Sequence, residues 1–487
     1  MQGTRRFAAA AWTMAALGCA ESAESTGQDA TIAQDSWQSS EVSQADTAQD
    51  GAGDSAQDTL AALAEPKEMD RCGLNFKWLP AGAVGQVVSW QEGDLSNLSP
   101  ATLQAMINQT GYVGLAAPSY GVRTFQLRYT TQDRGNPMEA TAIVAAPTGY
   151  PAGQQPPIAV WHHPTVGFSD ACAPSRDTLQ GPGLAAVLAS MGFVVVSPDY
   201  LGMIGFGEPT PPSYLHPYLV GEAVAVAALD GVRAAQKGLQ KADLVVGDLQ
   251  KLALIGASQG GHAAMFSDRL LAYYAPEMRA LATVSIIGPT DLYGHALMGL
   301  TKLSSTTLAL AASAVSMHHW YQLSTPLSQI IHESMAVALP DLMTSSCDTG
   351  GMGDNLKVEQ VTDVYASGFV AAMTKGNWQG FESWKCLLVQ NSLGLVGYPR
   401  KHDAPVLAIY GEKDNLVVTP LQRAETEKLC AQGYDIEYVE CAGLGHVDGG
   451  AASLPYALRW LQDRAAGKPL SAKTCVLTAP VDCKKAL

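Results

Sequence analysis

One serine of the sequence lies in a context that could make it a nucleophile. Residues 256–260 read Gly-Ala-Ser-Gln-Gly, with Ser258 at the centre. The string follows an apolar run at 252–255 and leads into a helix-like segment that begins near Gly261. A strand, a sharp turn with small flanking residues and a helix together lift a serine hydroxyl above the edge of a sheet. We therefore predict that Ser258 is a catalytic nucleophile; the alternative is a glycine-rich turn with a structural role only.

A serine hydroxyl needs a base to take its proton, and the base needs an acid that orients it. In enzymes with this turn, the acid and then the histidine follow the serine along the chain. His446 lies in a glycine-rich loop after the last predicted strand, whereas His402 precedes the penultimate strand and comes too early. The order therefore predicts that His446 is the general base.

Two aspartates follow predicted strands and could serve as the acid. Asp414 lies in the loop after the penultimate strand, 406–410, and Asp291 lies one strand earlier, after 282–287. The acid is expected after the penultimate strand, which favours Asp414. Asp291 is the alternative.

The transition state also needs two N–H groups that bind the developing oxyanion. One predicted donor is the backbone N–H of Gln259, the residue after the serine. The second should come from the loop after strand 158–161, where Pro164 has no N–H and Thr165 is the natural donor. The two histidines before Pro164 could instead form a metal pair, but no third ligand at a suitable spacing accompanies them. We therefore predict neither a metal nor an organic cofactor.

The order of apolar runs predicts an α/β fold. Several runs, such as 194–196, are apolar at successive positions, as strands buried on both faces are. Helix-like segments alternate with these runs, which implies a mostly parallel central sheet with helices on both faces. The predicted strands are 125–130, 140–145, 158–161, 194–197, 252–255, 282–287, 406–410 and 436–439, and the helices include 221–236, 261–274, 421–431 and 454–464.

The alternation breaks between residues 291 and 402. This stretch is rich in Ala, Leu, Ser, Met and Gly and mainly helical by its period, so we predict an inserted cap over the carboxyl edge of the sheet, where open α/β sheets bind ligands. Residues 297–343 carry more apolar surface than an isolated insertion could leave in water. Part of that surface should line a site for an acyl chain.

The first residues are typical of an export signal. Arg5 and Arg6 precede an uncharged stretch at 7–17 and then a Gly-Cys pair that ends at Cys19. This pattern resembles the signal of a bacterial lipoprotein, residues 1–19, whose terminal cysteine is acylated and anchors the protein to a membrane. Ordinary secretion is the alternative.

Acidic residues are concentrated in residues 20–70, which carry most of the chain's net charge of −15. The segment has a single aromatic residue and too few apolar side chains to form a core, so it should be a disordered tether. The catalytic domain should then occupy 71–487, with the cap at 291–402. Basic runs are absent from the sequence, which excludes nucleic-acid binding.

Eight cysteines follow Cys19, an even number that suggests disulfide bonds in an exported protein. The connectivity is open. The simplest local pairs are Cys430 with Cys441 and Cys475 with Cys483.

Seven short motifs lie between residues 163 and 277, within a wider resemblance to a known family that runs from about 123 to 462. They read HPTVG at 163–167, CAPS at 172–175, SPDYLG at 197–202, HPYL at 216–219, DGVRAA at 230–235, SQGGH at 258–262 and YAPE at 274–277. Together they resemble the secreted lipases typified by fungal lipase A, and more closely the bacterial relatives of that family. The resemblance implies an α/β-hydrolase that acts as an esterase or lipase and whose helical cap forms the acyl site. Pro164 is a departure, since relatives commonly carry glycine there.

The combined interpretation is an exported, lipid-anchored, monomeric hydrolase that cleaves carboxylic esters through an acyl-serine intermediate. Its expected partner is an ester with an acyl chain. A peptidase or amidase on the same fold is one alternative, although no acidic anchor for a substrate amine is identifiable. A non-catalytic surface binding protein is the other, and the complete set of Ser258, Asp414 and His446 argues against it.

Overall fold

The computed structural model of the chain describes residues 65–484, apart from 68, 94, 111–113, 178–180, 348–355 and 471. The predicted signal at 1–19, with Cys19, and nearly all of the predicted tether at 20–70 lie outside the described residues. The described part folds as one mixed sheet with helices packed on both of its faces. The predicted α/β-hydrolase architecture is thereby confirmed.

Nine strands of the described residues form the sheet. They are β1 (Val87–Glu92), β2 (Gly121–Asp133), β3 (Asn136–Thr148), β4 (Pro157–His162), β5 (Val194–Pro198), β6 (Asp248–Ala257), β7 (Ala280–Ile286), β8 (Val406–Gly411) and β9 (Ile436–Cys441). Their spatial order is β1-β2-β3-β5-β4-β6-β7-β8-β9. The neighbouring strands β1, β2, β3 and β5 pair antiparallel. The neighbouring strands β5, β4, β6, β7, β8 and β9 pair parallel. The sequence analysis missed β1, because its polar residues give an edge strand no apolar run.

The helices divide between the two faces of the sheet. They are α1 (Pro100–Thr110), α2 (Gly183–Ser190), α3 (Gly221–Lys241), α4 (Gln259–Tyr274), α5 (Leu292–Gly299), α6 (Ser305–Trp320), α7 (Glu333–Ser345), α8 (Val361–Val364), α9 (Ser367–Met373), α10 (Glu382–Gln390), α11 (Thr419–Ala431) and α12 (His446–Ala465). On β6, Leu252 and Leu254 pack in the cluster that contains α3 and α4, whereas Ala253 and Ile255 pack in the cluster that contains α2 and α12. This alternation explains why the strand is apolar at successive positions.

The segment predicted as the cap lies between β7 and β8. Its described residues form the helices α5 to α10. Buried side chains of α6, including Ala312, Val315 and Trp320, meet those of neighbouring cap helices and the α3 side of the core. Within the described ranges, no helix combines the length and the apolarity that a bilayer crossing requires.

All eight cysteines after Cys19 form disulfide bonds, but the two local pairs suggested by spacing are wrong. The bonds are Cys72–Cys386, Cys172–Cys347, Cys430–Cys475 and Cys441–Cys483. The C-terminal segment runs parallel to β9: the N–H of Cys475 bonds near the start of that strand, at Ile436, and Val481 pairs with its end. Because a strand rises about 3.3 Å per residue, Cys475 and Cys483 lie too far apart to bond to each other.

Candidate active site

Ser258 occupies the sharp turn between β6 and α4. Its backbone has φ +53° and ψ −119°, a conformation that costs energy for a residue with a side chain. The N–H of Ser258 donates to the carbonyl of Ile286 on β7, 2.8 Å away. The sheet therefore holds the strained turn, and the serine side chain remains partly exposed.

Two glycines allow this turn to form. A Cβ on Gly256 would overlap the carbonyl oxygen of Gly260, and a Cβ on Gly260 would overlap the carbonyl oxygen of His162. The same Cβ on Gly260 would lie 2.7 Å from the carbonyl oxygen of His163, so the serine turn lies directly against the loop after β4. The small residues of the Gly-Ala-Ser-Gln-Gly string are thus required by close backbone approach.

His446 and Asp414 complete a continuous hydrogen-bonded chain with Ser258. The Nε2 atom of His446 lies 2.9 Å from the Ser258 hydroxyl, and Nδ1 lies 2.7 Å from an oxygen of Asp414. Because Nδ1–H donates to the carboxylate, Nε2 is free to accept the serine proton. His446 and Asp414 are 6% and 5% exposed, so this pair is shielded from water. The structure therefore brings together the three side chains that the sequence analysis selected.

The loops that carry Asp414 and His446 are bonded to each other. The N–H of Lys413, next to Asp414, donates to the carbonyl of Leu444 in the loop before His446, 2.9 Å away. The second oxygen of Asp414 accepts the N–H groups of Leu416 and Val417 at 3.0 and 2.8 Å. These bonds fix the rotamer of the carboxylate that faces the imidazole.

Asp291, the alternative acid, has another role. Its side chain accepts the N–H of Gly294 at 2.8 Å and so caps the first turn of α5. The imidazole of His446 bonds to Asp414 instead.

The loop after β4 is fixed through its carbonyl groups. The hydroxyl of Tyr200 donates to the carbonyl of His163 at 3.0 Å, and the imidazole Nδ1–H of His163 donates to the carbonyl of Pro164 at 2.7 Å. Thr165 is half-buried, and its hydroxyl donates to the hydroxyl of Tyr218 at 3.3 Å. This side-chain hydrogen bond therefore fixes the position of Thr165.

Gln259 is anchored by a buried histidine that the sequence analysis noted only as part of a motif. Its side-chain N–H donates to Nε2 of His216 at 2.8 Å, while Nδ1–H of His216 donates to the carbonyl of Leu201 at 2.8 Å. Burial lowers the pKa of His216 to about 4, so this imidazole is neutral. The backbone N–H of Gln259 is the first of α4 and has no acceptor within the helix. It is available to bind an anion.

The imidazole rings of the two histidines before Pro164 are buried in the protein. The Nε2 atom of His162 lies 3.3 Å from the hydroxyl oxygen of Ser267. Burial lowers the pKa of His162 to about 3 and that of His163 to about 4. Among the described residues, the group of side chains close enough to hold a metal ion is Asp70, Cys72 and Cys386, and its two sulfurs are joined in a disulfide.

An apolar cleft lies between α5, α6, α9 and α10. About 410 Å³ of space lies in and in front of this cleft, a figure that includes open solvent. Its lining includes Ala296, Leu310, Ala314, Phe369 and Trp384.

Sequence comparison places these features among known proteins. The profile of the family described as secretory lipase matches residues 183–316 and 358–473, just over half of the chain. The chain is 27% identical to a probable inactive lipase of Mycobacterium tuberculosis, over 72% of this chain and 75% of that protein. It is 25% identical to a secreted triacylglycerol lipase of Malassezia globosa, over 74% of this chain and 75% of that protein.

The fold also matches solved structures. The rice cell wall degrading esterase LipA from Xanthomonas oryzae superimposes with a TM-score of 0.65, at 22% identity, over 78% of this chain and 97% of that one. At this level of identity the likeness establishes a shared fold.

Proposed function

The chain belongs to the secretory lipase family, and from this we propose that it is an exported serine hydrolase that cleaves carboxylic esters through an acyl-serine intermediate. The family supports ester hydrolysis. The observation that carries the serine mechanism is the hydrogen-bonded chain from Ser258 through His446 to Asp414.

In the proposed reaction, Nε2 of His446 takes the proton of the Ser258 hydroxyl while its oxygen attacks the ester carbonyl carbon. Asp414 stabilises the imidazolium that forms. The tetrahedral intermediate collapses, the C–O bond to the leaving group breaks, and the proton on Nε2 passes to the departing alkoxide. Water then attacks the acyl-serine by the same steps, and the carboxylic acid leaves.

The backbone N–H groups of Gln259 and Thr165 are the proposed oxyanion donors. The Gln259 N–H lies at the amino end of α4, where the helix dipole favours negative charge. The contact between Gly260 and the carbonyl of His162 brings the loop that carries Thr165 against the serine turn. This contact supports the assignment of both donors to one site.

The apolar cleft between the cap helices is the proposed binding site for the acyl chain. Ala296 lines this cleft, and its neighbour His295 accepts the N–H of Val418 in the loop that carries Asp414. Helix α5 thus contacts both the cleft and the loop that carries Asp414. Each buried methylene contributes up to about 0.8 kcal/mol, so two to four extra acyl carbons should raise kcat/KM by about tenfold or more.

A substitution in the cleft tests this assignment. We expect Ala314→Phe to lower kcat/KM for octanoyl esters at least about tenfold while acetyl ester hydrolysis changes less than about twofold, because the new ring fills space that only the longer chain needs. Val337→Phe, at a side chain 74% exposed on α7, is the matched control and should leave the chain-length profile intact. An equal loss for both esters would place the acyl chain elsewhere.

We further propose the domain organisation predicted from the sequence: a lipoprotein signal at 1–19, a tether at 20–70 and a monomeric catalytic domain at 71–487 with its cap at 291–402. The family and the secreted fungal relative support export. Replacement of Cys19 by alanine should release the protein from the membrane fraction of its host. Retention of the variant in that fraction would contradict lipid anchoring.

The reaction class is tested with a panel of esters from acetyl to palmitoyl beside a panel of peptide amides. We expect turnover of esters with a clear optimum, no turnover of amides, and loss of activity in Ser258→Ala. The panel also shows whether this chain is active at all, which matters because one relative is named a probable inactive lipase. A folded wild-type protein that hydrolyses no ester above the rate of Ser258→Ala would overturn the proposal.

A further inference from the structure

The acid loop, residues 412–418, connects β8 to α11. Its first half is held by the neighbouring strand and by the loop of His446. The N–H of Glu412 donates to the carbonyl of Cys441, and the N–H of Lys413 donates to that of Leu444, both at 2.9 Å. These contacts belong to the sheet side of the site.

The second half of the acid loop is held by the cap. The hydroxyl of Thr306, in the first turn of α6, lies 2.9 Å from the carbonyl oxygens of both Asn415 and Leu416, so its hydrogen is shared between them. On α5, Nε2 of His295 accepts the N–H of Val418 at 3.0 Å. Thr306 and His295 are 3% and 2% exposed, so water does not compete for these bonds.

The peptide groups that Thr306 binds are the ones that orient Asp414. The carbonyl of Asn415 shares a rigid peptide plane with the N–H of Leu416, and the carbonyl of Leu416 shares one with the N–H of Val417. Both of these N–H groups donate to the same oxygen of Asp414. Donation to a carbonyl also polarises its peptide and strengthens the bond made by the N–H at its other end.

His295 is set up as an acceptor by its own surroundings. Its Nδ1–H donates to the carbonyl of Asp291 at 2.6 Å, which leaves the lone pair of Nε2 for the Val418 N–H. Burial lowers the pKa of His295, against the opposing effect of Asp291 and Asp414, so the ring stays neutral. The bond fixes the end of the acid loop.

We infer that Thr306 and His295 are positioning residues of the hydrolase, which act on the reaction by holding the acid loop so that Asp414 faces His446. The inference rests on the proposed function, in which Asp414 is the catalytic acid. The cap therefore contributes to the chemistry of the site as well as to the binding of the acyl chain.

The first test replaces the hydroxyl of Thr306 by a methyl group of similar size. We expect Thr306→Val to lower kcat about tenfold with KM unchanged, because a misdirected carboxylate affects the transition state and not the binding of the ester. Thr306→Ser restores the hydroxyl and should recover most of the lost kcat. An unchanged kcat in Thr306→Val would overturn the inference.

Thr307→Val is the matched control. Thr307 is the next residue of the same turn, and its hydroxyl donates within the cap, to the carbonyl of Gly299 at 2.9 Å. The control should lower the thermal unfolding midpoint at least as much as Thr306→Val while kcat changes less than about twofold. Equal losses of kcat in the two variants would assign the effect to cap stability and overturn the inference.

A double-mutant cycle with Asp414→Ala separates positioning from general damage. If Thr306 acts through Asp414, adding Thr306→Val to Asp414→Ala should change the residual kcat less than about twofold, whereas independent effects would multiply. Multiplied effects would overturn the inference and leave the proposed function intact. Near wild-type activity in Asp414→Ala would instead overturn the assignment of the acid.

A second pair of variants provides the same test if Thr306→Val does not fold. His295→Leu leaves the Val418 N–H without an acceptor, and His295→Gln places an amide oxygen near the position of Nε2. We expect a lower kcat in His295→Leu and its recovery in His295→Gln. Equal kcat values in these two variants would contradict the role of His295.

Discussion

The two sides of Ser258 are built in different ways. On the acid–base side, the side chains of Asp414 and His446 bond directly to each other and to the serine. On the oxyanion side, the proposed donors are backbone N–H groups, and buried residues such as Tyr200 and His216 hold the segments that carry them. The acid–base side thus depends first on the identity of its reacting side chains, with the cap supporting the acid loop. The oxyanion side depends on how buried residues hold its backbone donors in place.

The two sides also differ in charge. In the proposed reaction, the acid–base side carries an imidazolium beside a carboxylate. The oxyanion side is packed with neutral imidazoles, since burial lowers the pKa of His163 and of His216 to about 4. A change of residue or of pH should therefore affect the two sides differently.

The largest effect is expected from a substitution that disrupts the acid–base side. Asp414→Asn should lower kcat by about 10³- to 10⁴-fold, because the amide cannot stabilise the imidazolium and favours the wrong tautomer of His446. Asp291→Asn, which alters a helix cap, should stay within about threefold of wild type. Steady-state kinetics on one ester checks both variants, and the reverse ranking would move the acid to Asp291.

A smaller effect is expected on the oxyanion side. His216→Phe removes the acceptor that anchors Gln259, so we expect kcat to fall about tenfold to a hundredfold. A boronic acid that mimics the tetrahedral intermediate should lose affinity in parallel with kcat/KM. His402→Phe, at a half-buried histidine that bonds to the carbonyl of Asp268, is the control and should keep both values. Unchanged boronate affinity in His216→Phe would separate this histidine from the oxyanion site.

The smallest effect concerns the stability of the oxyanion side in acid. Buried His162, His163 and His216 have pKa values of about 3, 4 and 4 in the fold, against 6.5 when unfolded. As the pH falls, these rings are therefore protonated in the unfolded chain before they are protonated in the folded one. The free energy of unfolding that they contribute is complete above pH 6.5 and is lost as the pH falls toward 4. Asp199 and Asp230, whose pKa values burial raises to about 6, act in the opposite sense between pH 4 and 6 and offset part of the loss.

The thermal unfolding midpoint should therefore fall between pH 7.5 and pH 5. His216→Phe removes one of the titrating rings, so its midpoint should depend less steeply on pH than that of the wild type. Midpoints that stay constant over this range would contradict the neutral state of the buried histidines.

The sequence predicted the acid–base side because strand order alone places its residues. Ser258, Asp414 and His446 each follow a buried strand, and parallel strands end at one edge of the sheet. The roles of His216 and Thr306 could not be found in this way, because each depends on contacts with residues 43 or more positions away. Strand order does not specify such contacts.

The same limit explains the errors in the cysteine pairs and the missed edge strand. Cys430 and Cys441 lie 11 positions apart in the sequence, but each bonds to a different point of a C-terminal segment that runs along β9. Neighbours in sequence were thus a poor guide to neighbours in space. The parallel strands were predicted well because a strand that is buried on both faces needs apolar residues at successive positions, which the sequence shows directly.

Mass spectrometry after treatment with a fluorophosphonate shows whether Ser258 is the nucleophile. We predict one phosphonyl group per active chain, located on the peptide that contains Ser258, with activity lost in proportion to labelling and no label on Ser258→Ala. Labelling at another residue that accompanies the loss of activity, or an active protein that takes up no label, would contradict it.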